Sequence, residues 1–352
     1  MIHVVLLLGC AVVIYLACEW FVNSVEWLGR QLALGPIAVG TVLAAVGTAL
    51  PESVVTLVAV TLGGGSHGAD IGVGAALGGP LVVGTIAYAA VGATLLLRRR
   101  AARRALAKVP PADEDVPATG PDPVDPGAIT GVDTRRLARD QTWFLAIFAV
   151  KLLLGLVAFS IKPWLGIVFF AVYGVYFWRE MQSEGGGDEE ELEPLKLQPK
   201  RAVPSRAAVL VQTLITLGLI FVASQLFVQQ LEWAGPALGL PPMVVALLLS
   251  PIATELPETM NALIWVRQGK TQLAMANISG AMMIQATIPS GLGLLFTPWR
   301  FTAPLVLAGV VTMLAVGYLL VLLRTDRLTA GRLAGAALFY SAFAVGLAVL
   351  AA

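Results

Sequence analysis

Thr48-Ala49-Leu50-Pro51-Glu52 and Thr254-Glu255-Leu256-Pro257-Glu258 carry one pattern, Thr-x-Leu-Pro-Glu, each inside an apolar run long enough to cross a bilayer. A carboxylate at membrane depth is costly and is kept mainly for ion or proton handling. The proline before it has no N–H and crowds the carbonyl four residues earlier, so Pro51 frees the oxygen of Gly47 and Pro257 that of Ala253. Hydrocarbon offers such oxygens no partner. The pattern therefore predicts two broken helices, in spans 2 and 7, opened at a site that takes a cation or water.

The rest of the chain is built for a membrane. Of 352 residues 57% are hydrophobic and 13% charged, which with repeated apolar runs of about 20 residues predicts an all-α polytopic membrane protein and excludes a large soluble domain. Hydropathy predicts ten transmembrane helices, near 2–28, 36–62, 69–97, 142–160, 163–178, 207–231, 242–266, 271–296, 302–323 and 329–352. Trp27, Trp143, Trp164, Trp178, Trp233, Trp265 and Trp299 fall at or near span ends, where an amphipathic indole favours the headgroup layer. The first 28 residues have neither a basic n-region nor a small-residue cleavage site and are expected to remain as the first span. Cys10 and Cys18 share that span and make no disulfide framework. Neither a His-Glu-x-x-His nor a paired-aspartate motif occurs in the membrane, so no enzyme and no cofactor is expected. The expected partners are inorganic cations and membrane lipid, with no nucleic acid and no obligatory protein partner.

The loops after spans 1, 3, 5, 7 and 9 together with Arg332 at the start of span 10 hold 20 of the 23 lysines and arginines, while the opposite loops hold only Lys162 and Arg300. The positive-inside rule then predicts an integral protein of the cell (inner) membrane with both termini outside. Two cytoplasmic loops are long. Residues 98–140 begin with Arg98-Arg99-Arg100 and pass into a Pro/Asp-rich tract, a composition that predicts a mostly disordered linker whose basic start touches anionic lipid. Residues 179–205 include Gly185-Gly186-Gly187-Asp188-Glu189-Glu190-Glu191, a solvated acidic run without the alternating ligand spacing of a calcium loop. The expected division is a first membrane repeat at 1–178, an acidic linker at 179–205 and a second membrane repeat at 206–352.

A shift of 206 aligns residues 14–57 with 220–263 without a gap, bringing Phe21, Glu26, Trp27, Pro36, Thr48, Pro51 and Glu52 onto Phe227, Glu232, Trp233, Pro242, Thr254, Pro257 and Glu258. The offset spans five crossings, an odd number, so the second copy enters from the opposite side. Two inverted five-helix repeats, a construction of many secondary transporters, place a binding site near the midplane between them. Thr48 and Glu52, four apart on a helix, face the same way, and Thr254 and Glu258 approach from across the pseudo-twofold. Two carboxylates, the threonine oxygens and the freed carbonyls of Gly47 and Ala253 make an all-oxygen cage with enough ligands for the 6 to 8 that Ca²⁺ takes. Soft metals are disfavoured, since no Cys or His joins it.

These two stretches, together with ten spans and outward termini, resemble the signature repeats of the sodium/calcium exchangers and the wider calcium/cation antiporter superfamily, typically Gly-Thr-Ser-Leu-Pro-Glu. The resemblance implies that Glu52 and Glu258 coordinate calcium and that Thr48 and Thr254 contribute oxygens. The later part of each family repeat reads Gly-Asn, then Gly-Ser-Asn, then Asn or Asp. Here the first copy has Gly74-Ala75, Gly78-Gly79-Pro80 and Val83, and the second has Ala276-Asn277, Gly280-Ala281-Met282 and Gln285. Ala49, Gly79 and Val83 thus lack a polar side chain where the resemblance implies sodium donors, while Glu255, Gln285 and Asn277 keep or add one. The lopsided loss leaves the counter-ion open between Na⁺ and H⁺. The expected function is export of Ca²⁺ against Na⁺ or H⁺ by alternating access, with a Na⁺/H⁺ exchanger or an exchanger of Mg²⁺ or Mn²⁺ as the alternative.

Other intramembrane polar residues have two readings each. Lys151, inside span 4, either serves structure or compensates charge near the ion path, and Glu19 either lines that path or pairs with Lys151. Glu26 and Glu232, beside Trp27 and Trp233, read as interfacial, and His3 and His67 as outer-surface residues.

Overall fold

A computed structural model of the chain describes residues 2–35, 38–61, 66–106, 129, 131–182, 192–237, 239 and 245–351. Among positions singled out above, the side chains of Glu52, His67 and Glu232 and the acidic run 185–191 lie outside the described residues. The described chain is helical almost throughout. Helix α1 is Ile2–Gln31. A π-helical turn, Val39–Ala44, leads into α2, Ala45–Thr61. Helix α3, Ser66–Val82, continues through a second π-helical turn, Val83–Ala87, into α4, Tyr88–Leu106. Helices α5, Thr134–Leu156, and α6, Leu165–Gln182, follow, joined by a short 3₁₀ turn, Lys162–Trp164.

The second half opens with α7, Arg206–Ala237. A third π-helical turn, Val245–Leu249, precedes the short α8, Ser250–Thr254, and α9, Leu256–Arg267. Then come α10, Thr271–Phe296, α11, Ala303–Arg324, the short α12, Ala330–Ala334, and α13, Ala337–Ala351.

Among the described residues six helical stretches are long and apolar enough to cross a membrane: Ile2–Gln31, Ala76–Arg104, Arg206–Phe227, Thr271–Phe296, Ala303–Arg324 and Ala330–Leu350. The other expected spans carry charge or interruption. Helix α5 starts with Arg135, Arg136, Arg139 and Asp140, α6 ends with Arg179 and Glu180, and the two motif-bearing stretches are divided by π turns or a break.

Helix ends follow local chemistry. The Asp133 side chain accepts the Arg136 N–H at 2.9 Å and starts α5 at Thr134, ahead of the expected 142. At the other boundary α4 runs beyond the expected 97 to Leu106, because Arg98, Arg99, Arg100, Arg103 and Arg104 are good helix formers. Arg98 donates to the Val266 carbonyl near the end of α9, where helix carbonyls lack partners.

Helix α10 is the most enclosed, packed against α2, α3, α5, α6 and α9. Two glycines permit the approach. A Cβ at Gly280 would lie 2.3 Å from the Thr41 carbonyl oxygen, and one at Gly40 would lie 2.8 Å from the Ala276 Cβ, so backbone meets backbone at this crossing. Helix α1 lies along α7 outside this centre and also touches α9.

A strap ties α1 to α7. Residues 192–205, within the stretch expected to be a solvated linker, are fixed by side chains on both helices. Trp27 Nε1 donates to the Glu193 carbonyl at 2.9 Å, and Asn23 Oδ1 accepts the Lys196 N–H at 3.1 Å. Gln212 joins the two sides, with Oε1 accepting the Leu197 N–H at 2.8 Å and Nε2 donating to the Trp20 carbonyl at 2.9 Å. Leu195 is fully buried against Trp27, Ala208 and Val209.

Candidate cation site

The two Thr-x-Leu-Pro-Glu copies sit on different backbones. In the first, α2 is α-helical from Ala45 to Thr61, straight through Pro51, and the distortion lies upstream in the Val39–Ala44 π turn. In the second, Glu255 interrupts the chain at φ −86°, ψ 5°, ending α8 and preceding α9. Pro251 and Pro257 each occupy the first turn of one of these helices, where the missing N–H costs least. Pro257 cannot donate to the Ala253 carbonyl, which is 1% exposed on a residue basis.

Glu258 in the first turn of α9 is fully buried, and among the described residues neither carboxylate oxygen has a hydrogen-bond partner. A buried charge is ordinarily paired or metal-bound, so these two oxygens are the least satisfied group in the described centre. Asn277 on α10 donates Nδ2 to the Glu258 carbonyl at 3.1 Å, leaving its own Oδ1 buried without a partner. Thr48 lies beside the Glu258 carboxylate, and its hydroxyl hydrogen goes to the Ala44 carbonyl at 3.0 Å. Thr254 likewise gives its hydrogen to the Pro251 carbonyl at 3.2 Å. Both threonine oxygens therefore keep lone pairs to offer a cation.

Glu255 is held differently. Gln285 Nε2 donates to Glu255 Oε2 at 2.5 Å, and both side chains face the bare backbone of Gly79 on α3. A Cβ at Gly79 would stand 2.5 Å from Glu255 Oε1 and 3.2 Å from Gln285 Cδ. The first half's missing side chain is the room that two second-half side chains fill. Gly47 meets Phe21, where a Cβ would lie 2.7 Å from Cζ. The structure thus gathers Thr48, Glu255, Glu258, Gln285 and Asn277 around α10 and its neighbours.

The sequence model of the sodium/calcium exchanger protein family matches residues 2–181 and 208–351. The chain belongs to the sodium/calcium exchanger family. A curated relative of this exchanger, "Putative antiporter CaxA" of Alkalimonas amylolytica, is 26% identical over 292 residues, covering 83% of this chain and 80% of that one. Solved structures of the sodium-calcium exchanger NCX_Mj share the fold. One soaked with 2.5 mM Na⁺ and 0.1 mM Ca²⁺ has a TM-score of 0.70 at 18% identity, covering 99% of this chain and 98% of that one. Another, soaked with 10 mM Na⁺ and zero Ca²⁺, has a TM-score of 0.68 at 19% identity, with 98% of each chain covered. The protein is an integral membrane protein of a transporter family and not an enzyme.

Away from this centre the other intramembrane polar residues have definite partners. Glu19 does not pair with Lys151. It lies 3.7 Å from Lys196 of the strap, because its position on α1 faces that segment rather than the interior. Lys151 instead donates to the Ala76 carbonyl at 2.7 Å. Glu26 is buried and paired: its oxygens receive Trp265 Nε1 at 2.7 Å and Lys270 Nζ at 2.5 Å, joining α1 to the end of α9. His3 stacks on Trp233 with centroids 3.7 Å apart, across the far ends of α1 and α7.

Sequence reasoning passed over Asn261, which is fully buried with both side-chain polar atoms unpartnered. Its place three residues after Glu258 on α9, one helical turn away, was the available signal. It also passed over Glu180, which accepts from Arg136 and from Thr41 Oγ1 at 3.3 Å, and Asp140, 3.5 Å from Ser279 Oγ. Those contacts fasten α5 and α6 to the Gly280–Thr41 crossing, and only the folded chain brings them together.

Proposed function

We propose that this exchanger exports Ca²⁺ in exchange for Na⁺ or H⁺ by alternating access, with Glu52, Glu258, Thr48 and Thr254 as the divalent cage and the carbonyls of Gly47 and Ala253 as supplementary oxygens. Glu255, Gln285 and Asn277 border that cage from the second half. Two inverted five-helix repeats, with both termini outside the cell membrane, supply the architecture, and α1 with α7 moves against a core made by the motif-bearing stretches, α3 and α10. The observation that carries this reading is the fully buried Glu258 carboxylate, whose two oxygens have no partner among the described residues. A buried anion with no donor is completed by a cation. Family membership and the carboxylate, hydroxyl and carbonyl oxygens favour a hard cation, although, against the expectation that no cysteine joins the site, Cys18 Sγ donates to the Pro257 carbonyl at 3.8 Å beside them.

The test is ⁴⁵Ca²⁺ uptake into proteoliposomes driven by an outward Na⁺ or H⁺ gradient. Wild-type protein is expected to take up calcium with at least one of the two gradients, and Glu52→Gln and Glu258→Gln are each expected to abolish it while retaining the wild-type gel-filtration profile. Normal uptake by either variant would overturn the site. Gradient-driven uptake of Mg²⁺ or Mn²⁺ without Ca²⁺, or pH-driven Na⁺ flux indifferent to Ca²⁺, would overturn the cargo.

A further inference from the structure

Lys151 is a fully buried lysine in the middle of α5. Its Nζ donates to the Ala76 carbonyl at 2.7 Å and stands 4.4 Å from the centre of the Phe148 ring. None of the ion pairs among the described residues includes it. A buried ammonium without a carboxylate is rare, and in a membrane protein such a charge is ordinarily tied to function.

The acceptor explains the position. Pro80 lies inside α3 and has no N–H, so it cannot close the helical bond to the residue four before it, which is Ala76. The oxygen that Pro80 frees is the one that Lys151 occupies. A carbonyl and a ring face are what a small monovalent cation would meet there, and the ammonium takes that place on a covalent arm. Ala76 precedes Gly79 by three residues on α3, and Gly79 faces the Glu255–Gln285 pair. The carbonyl that Lys151 holds is thus one helical turn along α3 from the glycine that faces Glu255, the carboxylate that the second motif copy has and the first lacks.

Charge counting joins the two features. The repeat-related glutamates are Glu52 and Glu258, while Glu255 has Ala49 as its mate. The proposed cage region therefore carries one carboxylate beyond the symmetric pair and one ammonium beyond it. At low dielectric a fixed charge is felt beyond contact distance.

We propose, resting on the exchange reading above, that Lys151 is a built-in cation balancing Glu255, so that the cargo has only Glu52 and Glu258 to neutralise and one divalent ion exchanges for two monovalent cations without net charge movement. The ammonium takes the place of a third mobile cation.

The experiment measures Ca²⁺ exchange in proteoliposomes across imposed K⁺/valinomycin potentials. Wild-type exchange is expected to be independent of voltage, with a reversal point set by the chemical gradients at two monovalent ions per Ca²⁺. Lys151→Gln keeps a donor for the Ala76 carbonyl and removes the charge, and it is expected to become voltage-dependent, moving one elementary charge per turnover at three monovalent ions per Ca²⁺. A second variant guards against misfolding. In Pro80→Ala/Lys151→Met the restored N–H caps Ala76 and makes a merely structural lysine dispensable. It is expected to show the same gain of voltage dependence. Electrogenic wild-type exchange, or electroneutral exchange by either variant, would overturn the tethered cation while leaving the exchange reading in place. Wild-type protein with no gradient-coupled Ca²⁺ flux at all would overturn that reading and the inference with it.

Discussion

The same five-residue signature is folded in two ways. Around Pro51 the helix is unbroken from Ala45 to Thr61, whereas around Pro257 it parts at Glu255 into Ser250–Thr254 and Leu256–Arg267. The motif itself cannot be the cause, since both copies contain its proline. Six residues upstream of Pro257 stands Pro251, and its mate in the first copy is Ala45. Two prolines remove two donors and leave only a short helix between them, while one proline is absorbed as a local distortion. The side chains differ in the same direction. Ala49 is fully buried, and its mate Glu255 reaches across to Gln285 over the bare Gly79. The second copy supplies both the break and the polar groups, and the first supplies the space.

Exchanging mates tests that division, and the largest effect is expected from Ala49→Glu. It writes the second motif into the first half, where Ala49 has no exposed surface. No Gln285 equivalent stands ready, because the mate of Gln285 is Val83. An unpaired buried carboxylate costs several kcal/mol, and the variant is expected to lose its folded gel-filtration peak. A folded Ala49→Glu protein with wild-type thermal stability would show that the first copy tolerates what the second carries.

Next in size is the anchor at the end of the second copy. The end of α9 and the loop after it are bound to α1 through Glu26, which receives Trp265 and Lys270. Lys270→Met leaves Glu26, 7% exposed at its side chain, without its counter-charge, a loss of about 3–5 kcal/mol for a buried pair. The melting temperature is expected to fall, and a cysteine placed on the nearby end of α1 is expected to label faster from the side of the basic loops. Unchanged labelling would mean that this end is held shut by other contacts.

Gly79→Ser is expected to cost about 1–3 kcal/mol by overpacking, since its Cβ would lie 2.5 Å from Glu255 Oε1. Gly79→Ser/Glu255→Ser is expected to recover most of that stability, moving an oxygen from the second half to the first. A double variant no more stable than the single one would show that the two positions are not exchanging one volume. Thermal melts in detergent decide it.

Much of this was legible in the chain because membrane physics constrains a sequence severely. The helical class, the family and most helix positions follow from apolar run lengths and from a motif that occurs twice. The unequal donors were legible too, since Ala49, Gly79 and Val83 can be read against Glu255, Ala281 and Gln285. What could not be read were pairings between distant segments. Lys151 finds a carbonyl freed by Pro80, Glu26 finds a lysine 244 positions away, and residues 192–205 look like solvated linker until Trp27, Asn23 and Gln212 are seen to hold their backbone. Composition reports solubility and not the side chains waiting on a neighbouring helix.

The smallest effect is expected from Pro251→Ala, which places the first copy's residue into the second. Alanine returns an N–H that can close on Leu247, and the Val245–Leu249 π turn and Ser250–Thr254 then have one fewer cause to separate. Pro251 also fills the space against Gly78, where a Cβ would meet its Cγ at 2.6 Å, so some packing is lost as backbone bonding is gained. The two terms oppose each other and leave a net change within about 1 kcal/mol. Hydrogen exchange is the sensitive readout. Slower exchange at residues 250–258 together with a several-fold slower turnover is expected if the break at Glu255 has to flex during transport. Slower exchange with wild-type turnover would instead mean that the break fixes where Glu255 and Glu258 stand and takes no part in the movement.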